Sequence, residues 1–452
     1  MELDGRASTA AAVIDISETI DRLPVGGFQI RVLLICAAVL FVDGFDTQAI
    51  GYVAPVVAQE WKLARGALGP VFSAGLFGLM IGAILFGTIA DRIGRKRIIV
   101  LSTVAFGIGS LLTMLAQDAT WLMVLRFLTG LGLGGAMPNT VALISELSPI
   151  RRRATMVMMM FAGFSIGAAL GGLLAAALIP AFGWRSVFLV GGLVPLLLAP
   201  LLGMVLPESI RYLALVGGRD RDVAGLLRQV APEEDVPADA HFVVREPKLP
   251  GLPVAHLFAE QRGGVTLLLW SVFFMSLLDL YLLSNWLPTV LNDLGVSVSV
   301  AAVIGAMLQF GGVVGTFALG RFIDRFSFRA LALTYLCAAV TIAAIGFTGH
   351  SITLVTSVIF AAGFCIVGGQ IAANALTATY YPTAIRSTGM GWALGVGRIG
   401  SIVGPLIGGA LLAAQVGVDT LFMVAAIPAL IAAAAALALV RVARPAGKSV
   451  ES

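Results

Sequence analysis

Apolar residues form twelve long blocks along the chain, and short polar connections separate most of them. The blocks lie at 32–58, 67–90, 97–116, 121–145, 154–179, 184–206, 265–291, 299–322, 329–347, 352–377, 388–413 and 419–440. Each block is close to the length of about 20 apolar residues that a helix needs to cross a bilayer. The pattern therefore predicts an all-α membrane protein with twelve transmembrane helices, which we number spans 1 to 12.

One long polar stretch, at 207–264, divides the spans into two groups of six. The predicted organisation is a cytoplasmic N-terminal segment (1–31), an N-terminal half (32–206), a cytoplasmic central loop (207–264), a C-terminal half (265–440) and a cytoplasmic tail (441–452). The composition agrees with this prediction, because 59% of the residues are hydrophobic and only 12% are charged. Soluble domains have about 25% charged residues.

Lysine and arginine predict the orientation of the spans. If the N-terminus is inside, the inner connections carry "DRIGRKR" at 91–97 and "RRR" at 151–153, whereas the outer connections carry only Lys62, Arg65 and Arg185. Basic residues accumulate on the cytoplasmic side of membrane proteins. We therefore expect a multi-pass membrane protein with both termini in the cytoplasm.

The two halves repeat each other at an offset of 233 positions. The coinciding residues are Asp46 and Asp279, Pro55 and Pro288, Gly87 and Gly320, Asp91 and Asp324, Pro149 and Pro382, and Arg153 and Arg386. Gly-x3-Gly pairs also coincide, in spans 2 and 8 and in spans 5 and 11, and such pairs predict close-packed seams, here between the halves. A parallel repeat is typical of secondary transporters with a site near the midplane.

Several motifs resemble the major facilitator superfamily over essentially the whole chain: "GTIADRIGRKR" after span 2, "GRFIDRFSFR" after span 8, "RFLTGLGLGGAMPN" in span 4 and "PESIRYL" after span 6. The "DGFD" at 43–46 is similar to the signature of the aromatic acid:proton symporter family of that superfamily. This resemblance implies the major facilitator fold, with two six-helix halves related by a pseudo-two-fold axis. It also implies a monomer in the bacterial cytoplasmic membrane, rocker-switch alternating access and a cavity lined by spans 1, 4, 7 and 10.

Three carboxylates, Asp43, Asp46 and Asp279, lie near the predicted midplane, where a charge costs on the order of 3 kcal/mol. We interpret them as proton-coupling residues, because burial favours the neutral carboxyl and a nearby cation favours the ionised one. The alternative is that they form neutralising packing pairs, for example Asp43 with Arg126.

An aromatic carboxylate needs a cation for its charged group and flat apolar walls for its ring. The candidate cations are Arg126 and Arg398, since guanidinium holds a carboxylate bidentately. The candidate ring and polar contacts are Phe45, Tyr281, Trp286, Trp392, Asn139, Gln370 and Asn374. Helix packing and hydrogen bonds between helices are the alternative explanations for these residues.

A third set of residues follows the superfamily's loop motif, which clamps the inner ends of the helices while the cavity faces outward. The resemblance assigns Gly87, Asp91, Arg92 and Gly94 to this motif. Glu146, Arg153, Asp324 and Arg386 are expected to complete charge pairs that break when the cavity turns inward. In the second copy Ser327 replaces the glycine, and basic anchoring alone is the alternative explanation for the arginines.

Together these features predict proton-coupled uptake of an aromatic carboxylate such as 4-hydroxybenzoate, with the bilayer, the acid and protons as partners. Cotransport of one proton offsets a membrane potential worth about 2.3 kcal/mol per charge per 100 mV. No cofactor, nucleic acid or enzymatic activity is expected, because the three histidines and three cysteines have no metal spacing and no nucleophile lies beside a base. The alternatives are symport of another organic anion or a sugar, a drug/proton antiporter, and a non-transporting sensor.

Overall fold

All twelve predicted spans are helices in the computed structural model, which describes residues 13–64, 66–216, 218–232, 240–243, 254–349 and 351–442. Spans 1 to 6 are Gly27–Glu60, Gly69–Ile93, Arg95–Thr113, Ala119–Leu147, Ile150–Phe182 and Arg185–Val205. Spans 7 to 12 are Gly263–Asp293, Val298–Phe326, Phe328–Ile345, Ile352–Tyr380, Thr383–Ala413 and Val418–Val442, the last with a break at Ala426. The predicted fold class is confirmed.

Several helices extend beyond the apolar blocks that predicted them. Span 5, for example, begins at Ile150, so that the three arginines 151–153 form part of its first turns. Inside lipid a backbone must bond to itself, and this requirement makes each apolar block helical. The helix then continues into the interfacial region, where polar side chains are solvated, so hydropathy alone places its end too early.

The Gly-x3-Gly pairs join neighbouring spans inside each half, so the prediction that they form seams between the halves is wrong. An added Cβ would meet the backbone of span 4 at Gly78 and Gly82, and that of span 10 at Gly311 and Gly315. Likewise, Gly167 faces the backbone of span 1 and Gly400 that of span 7. Such pairs show where two backbones approach closely, but any adjacent helix can be the partner.

Spans 1 and 7 meet on the axis that relates the two halves. A Cβ added to Gly51 would lie 2.7 Å from the carbonyl oxygen of Ser284. Near the ends of the same helices, Gln59 donates a hydrogen bond of 2.7 Å from Nε2 to Oδ1 of Asn292. Each pair is separated by the repeat offset of 233 residues, so equivalent positions touch each other across a pseudo-two-fold axis. The predicted parallel repeat is therefore confirmed.

The two faces of the bundle differ in charge. The face from which span 1 starts holds Arg95, the arginines 151–153 and Arg441, and we call it the arginine-rich face. The other, called the opposite face, holds the connection between spans 1 and 2 and that between spans 7 and 8.

The contact between spans 2 and 11 is closed near the opposite face and open near the arginine-rich face. Ser73 Oγ donates a hydrogen bond of 2.7 Å to the carbonyl of Ile402 at the closed end. Gly87 lies about four turns further along the same face of span 2, and Gly395 and Gly391 lie about two and three turns from Ile402. At these three glycines an added Cβ would meet no described atom within 4 Å.

Spans 5 and 8 separate in the same direction. A Cβ at Gly172 would lie 2.9 Å from the Cβ of Ala306 near the opposite face. Gly320 lies about four turns further along the same face of span 8, and its Cβ position has no described neighbour within 4 Å. The space between the halves is therefore open toward the arginine-rich face.

A small unit packs on the arginine-rich end of the N-terminal half. Strand β1 (Val13–Asp15) pairs in parallel with strand β2 (His241–Val243), although the two are far apart in the chain. The helices Ile16–Arg22, Ile210–Val216 and Asp220–Val230 bury apolar side chains with them. The segment before span 1 and the central loop thus share one apolar cluster.

Candidate functional site

Span 1 carries two completely buried carboxylates, Asp43 and Asp46, separated by a little less than one helical turn. Gly44 lies between them and faces span 5, where an added Cβ would overlap the carbonyl of Phe164. A side chain at this position would push the two helices apart. The glycine therefore allows span 5 to pack directly against the helix turn that carries both acids.

Asp46 forms a buried ion pair with Arg126 of span 4. Arg126 donates from Nη2 to Asp46 Oδ2 at 2.9 Å and to the Asp46 carbonyl at 3.1 Å. Its guanidinium carbon lies 5.5 Å from the centre of the Phe188 ring, a cation–π contact from span 6. The pair therefore lies inside the N-terminal half, and the pairing that we named for Arg126, with Asp43, is corrected to Asp46.

Asp43 has different surroundings. Thr47, one turn away on the same helix, donates from Oγ1 to Asp43 Oδ1 at 3.1 Å. The second carboxyl oxygen finds no hydrogen-bond partner among the described residues. Asp43 also interacts electrostatically with Arg398 of span 11, in the other half of the protein.

Arg398 joins the two halves near the middle of the membrane. Its Nη1 lies 3.4 Å from the hydroxyl oxygen of Tyr281 on span 7, and its Nη2 lies 3.1 Å from the sulfur of Met137 on span 4. Since Asp43 is on span 1, residues from three other spans surround this guanidinium. Sequence reasoning selected Asp43, Arg398 and Tyr281 but missed Met137, which stands next to Pro138 in the quoted span 4 motif.

Asp279, the repeat equivalent of Asp46, is buried between spans 7 and 9. Its Oδ1 finds no hydrogen-bond partner in the described part of the chain, and it interacts electrostatically with Tyr335 of span 9. The position equivalent to Arg126 holds Ile359, so Asp279 does not have the equivalent of the arginine that pairs with Asp46. The structure does not bring Asp279 to the group around Arg398.

The other aromatic candidates lie away from Arg398. Phe45 packs against Gly171 and Gly191 and lines a groove of about 480 Å³ between spans 1, 5 and 6. Trp392 is 46% exposed and stacks on Trp270, with 5.7 Å between the ring centres. Trp286 donates from Nε1 to the carbonyl of Pro405 at 2.8 Å. The contacts described for these three side chains are with neighbouring helices and not with Arg398.

The candidate amides mostly bond within their own helices. Asn139 donates to the carbonyl of Gly135 at 2.7 Å, one turn earlier on span 4. Gln370 donates to Asn374 Oδ1 at 3.3 Å on span 10, and its own Oε1 is buried without a partner among the described residues.

The loop motif after span 2 forms a charge cluster within the N-terminal half. Arg95 Nε lies 2.8 Å from Oε1 of Glu146 at the end of span 4. Glu208 accepts a hydrogen bond of 3.0 Å from the backbone nitrogen of Lys96. It also touches the Cβ position of Gly94, whose φ of 104° favours glycine.

The two charged residues at the start of this motif are exposed. The Asp91 side chain is 74% exposed and lies 4.0 Å from Arg95. Arg92 is exposed, and its carbonyl accepts from the Tyr212 hydroxyl at 3.3 Å.

The remaining gating candidates are spread over both halves. Arg153 lies 3.8 Å from Asp21, which also accepts a hydrogen bond of 2.7 Å from the backbone nitrogen of Ile150. Arg386 donates to the carbonyl of Tyr381 at 3.4 Å. The Asp324 side chain lies outside the part of the chain that the structure describes.

Sequence reasoning missed the residues that complete this cluster. Arg95 lies in the motif "GTIADRIGRKR" and Glu208 in "PESIRYL", so their motif positions were an available signal. Asp21 had no such signal, because it precedes span 1 and its contact with span 5 depends on how the chain folds back.

Comparison with models of known protein families identifies the family of this chain. The model of the Major Facilitator Superfamily matches residues 36–347 and again 269–452. The chain belongs to the Major Facilitator Superfamily. Its relatives within the superfamily include a gallate transporter of Pseudomonas putida, 43% identical over 94% of this chain and 95% of the relative. A 4-hydroxybenzoate transporter of Pseudomonas aeruginosa is 42% identical, with the same coverage of both chains.

Solved structures of the superfamily share the fold at low sequence identity. A bacterial homologue of the human lysosomal transporter Spinster, in an inward-facing and occupied conformation, matches 95% of this chain and all of its own, with a TM-score of 0.71 and 19% identity. The xylose transporter XylE from E. coli, partially occluded and inward open, matches 94% of this chain and all of its own, with a TM-score of 0.70 and 16% identity.

Proposed function

We propose that this protein imports an aromatic carboxylate, such as 4-hydroxybenzoate, together with protons across the bacterial cytoplasmic membrane. The observation that carries the proposal is Arg398, a cation between the two halves that reaches Tyr281 and Met137 and acts on Asp43. The relatives named as gallate and 4-hydroxybenzoate transporters support the substrate class.

The substrate carboxylate binds the Arg398 guanidinium, which presents parallel N–H donors to both carboxylate oxygens. Tyr281 and Met137 flank this guanidinium and supply an aromatic and a thioether surface for the ring. Contacts between methionine sulfur and aromatic rings are favourable and adaptable. The arrangement suits a flat acid better than a sugar, which needs many hydroxyl partners.

Asp43 carries the proton in this scheme. Before substrate binds, the Arg398 charge favours the ionised carboxylate of Asp43. A bound substrate carboxylate neutralises Arg398, so the charge that favoured ionisation is cancelled and the buried Asp43 takes up a proton. Substrate binding and proton binding then support each other, which is the requirement for symport. At least one proton per anion offsets the negative-inside potential.

The arginine-rich face is the cytoplasmic face in this proposal, following the distribution of basic residues. The recorded conformation is then inward-facing, with spans 2 and 11 and spans 5 and 8 in contact only near the outside. Rocking of one half against the other closes these seams on the cytoplasmic side and opens them outside. The protein needs no cofactor, acts as a monomer and has no enzymatic role.

The test is uptake into proteoliposomes with an imposed pH gradient, using labelled 4-hydroxybenzoate, gallate, benzoate and an aliphatic acid of similar size. We expect accumulation of at least one aromatic acid only when the gradient is present. Uptake that ignores the gradient, or a panel in which no aromatic acid accumulates, contradicts the proposal.

A second candidate function is symport of a non-aromatic organic anion, because Arg398 recognises any carboxylate. Accumulation of the aliphatic acid alone, again dependent on the gradient, would favour this candidate.

A further inference from the structure

A buried glutamine on span 1 has no use in the mechanism described so far. Gln48 is 1% exposed, and its Nε2 finds no hydrogen-bond partner among the residues that the structure describes. A buried amide donor without a partner costs free energy comparable to a lost hydrogen bond. Such a group in a native protein therefore calls for an explanation, and a ligand is one of the explanations.

The packing of spans 1 and 8 shows what Gln48 faces. One turn nearer the opposite face, Tyr52 packs against Gly305, whose Cβ position lies 3.2 Å from the Tyr52 ring. Gln48 is four residues before Tyr52, and Gln309 is four residues after Gly305. Because the two spans run in opposite directions, both steps lead toward the arginine-rich face on the facing sides of the helices. Gln48 and Gln309 therefore both lie about one turn from this contact, in the region where spans 1 and 8 are packed.

Span 7 completes the group. Gln309 donates from Nε2 to the hydroxyl oxygen of Ser284 at 3.2 Å, and both residues are buried. Ser284 is also the residue whose carbonyl meets Gly51 of span 1 on the pseudo-two-fold axis. We call Gln48, Ser284 and Gln309 the amide layer. It joins three spans from both halves of the protein.

Along the helix axes, the amide layer is displaced from the group around Arg398 by a short distance toward the opposite face. Gln48 is five residues from Asp43 on span 1, and Ser284 is three residues from Tyr281 on span 7. At 1.5 Å per residue the separation along the axis is about 4.5 to 7.5 Å. This range is comparable to the distance between the carboxyl group and the para substituent of a benzene ring.

We propose that the amide layer binds the ring hydroxyl of the substrate and makes the site selective for hydroxylated aromatic acids. This inference rests on the proposed function, since it assumes that Arg398 holds the carboxylate. Gln48 Nε2 donates to the phenol oxygen, and the phenol hydroxyl donates to Gln309 Oε1. A substrate without the hydroxyl leaves the Gln48 donor unpaired, and sites of this kind reject such analogues strongly.

The experiment measures binding to the purified protein, so that a variant unable to transport still gives a result. Dissociation constants for 4-hydroxybenzoate and benzoate are determined for the wild type, Gln48→Met and Gln309→Met. The matched control is Thr113→Val, because Thr113 is a completely buried polar residue of span 3 that bonds only within its helix in the recorded contacts.

The wild type and the control should bind 4-hydroxybenzoate more tightly than benzoate. Each glutamine variant should reduce that preference by about tenfold, the weight of one hydrogen bond, while its affinity for benzoate changes less than about twofold. An unchanged preference, or an equal loss of affinity for both acids, overturns the inference and assigns the amides to helix packing. A wild type that binds no aromatic acid refutes the proposed function itself, and the inference falls with it.

Discussion

Asp43 and Asp46 are three residues apart on one helix, yet their side chains serve different neighbours. Arg126 of the same half neutralises Asp46, whereas Asp43 interacts with Arg398 of the other half. Sequence reasoning placed both acids and both arginines in the membrane interior. The pair that it named for Arg126, with Asp43, was wrong, because a rotation of the helix by a few tens of degrees exchanges the partners that each acid faces.

Replacing Asp46 should destabilise the protein more than replacing Asp43. Asp46→Asn leaves the buried Arg126 charge without its counter-ion, and loss of one partner from a buried pair costs about 3–5 kcal/mol. Thermal unfolding in detergent measures this difference. The double variant with Arg126→Leu should regain part of the lost stability, and equal stability of the two single variants would contradict the assignment.

Asp43→Asn should preserve the fold and abolish accumulation driven by the pH gradient. The amide cannot exchange a proton, but it retains the size of the carboxyl group and the bond from Thr47. Uptake and unfolding temperature are measured on the same preparation. Normal accumulation by this variant would remove Asp43 from the proton pathway.

Arg398→Ala should weaken acid binding by at least about tenfold, since hydrogen bonds to charged groups contribute about 1.5–3 kcal/mol. Arg398→Lys should have an intermediate effect, because lysine keeps the charge and loses the bidentate geometry. Arg153→Ala is the control, as its recorded partners are Asp21 and the Ser148 carbonyl at the arginine-rich face. A larger loss in the control would place the site elsewhere.

At the scale of elements, glycines have two separate roles in this bundle. Gly78 and Gly82 pack against the backbone of span 4, whereas Gly87 faces open space further along span 2. The sequence shows both as small residues on a helix, with no mark of which neighbour each one approaches. That distinction depends on tertiary packing and on the conformational state of the protein.

The open end of the seam between spans 2 and 11 leads to a specific prediction about transport. Gly391→Leu fits the recorded conformation, because the structure describes no atom within 4 Å of its Cβ position. If the seam must close during transport, the leucine side chain obstructs closure. Transport should therefore fall by at least about fivefold while the unfolding temperature changes little.

Gly203→Leu is the matched control for this experiment. Gly203 lies in span 6, is exposed and has no described atom within 4 Å of its Cβ position, but it is not part of a seam between the halves. Uptake by this variant should remain normal. Equal inhibition by both leucines would show that Gly391 does not report on closure.

For the molecule as a whole, the twelve spans and the parallel repeat could be predicted from the sequence, since hydropathy and a fixed offset of residues require no tertiary information. The pairing of β1 with β2 could not be predicted in the same way. Both strands are only three residues long, and one precedes span 1 while the other follows span 6. Neither strand has a pattern strong enough to identify its partner.

The charged residues of the candidate site could be predicted from the sequence, but several of its neutral residues could not. A charge inside a membrane stands out in an apolar sequence, and Asp43 and Arg398 were selected on that ground. Met137, Gln48 and Gln309 are uncharged, so their importance depends on which helix faces they occupy. Those faces become visible only when the spans are packed.

Closure of the opposite face can be tested with a crosslink. Gln59→Cys combined with Asn292→Cys should be joined by a short bifunctional methanethiosulfonate reagent, because the two side chains are hydrogen-bonded across the halves. Crosslinking should stop transport and leave acid binding from the arginine-rich side intact, and a reductant should restore transport. Unchanged transport in the fully crosslinked protein would show that these ends need not separate.

The contact between Gln59 and Asn292 also reflects the internal symmetry of the molecule. In a symmetric homodimer, the residues on the two-fold axis touch their own copies in the partner subunit. Gln59 and Asn292 occupy equivalent positions in the two halves and touch in the same way. Within one polypeptide, the chain thus has an interface with the geometry of a symmetric dimer of six-helix units, and at this position the two equivalent side chains differ so that one donates and the other accepts.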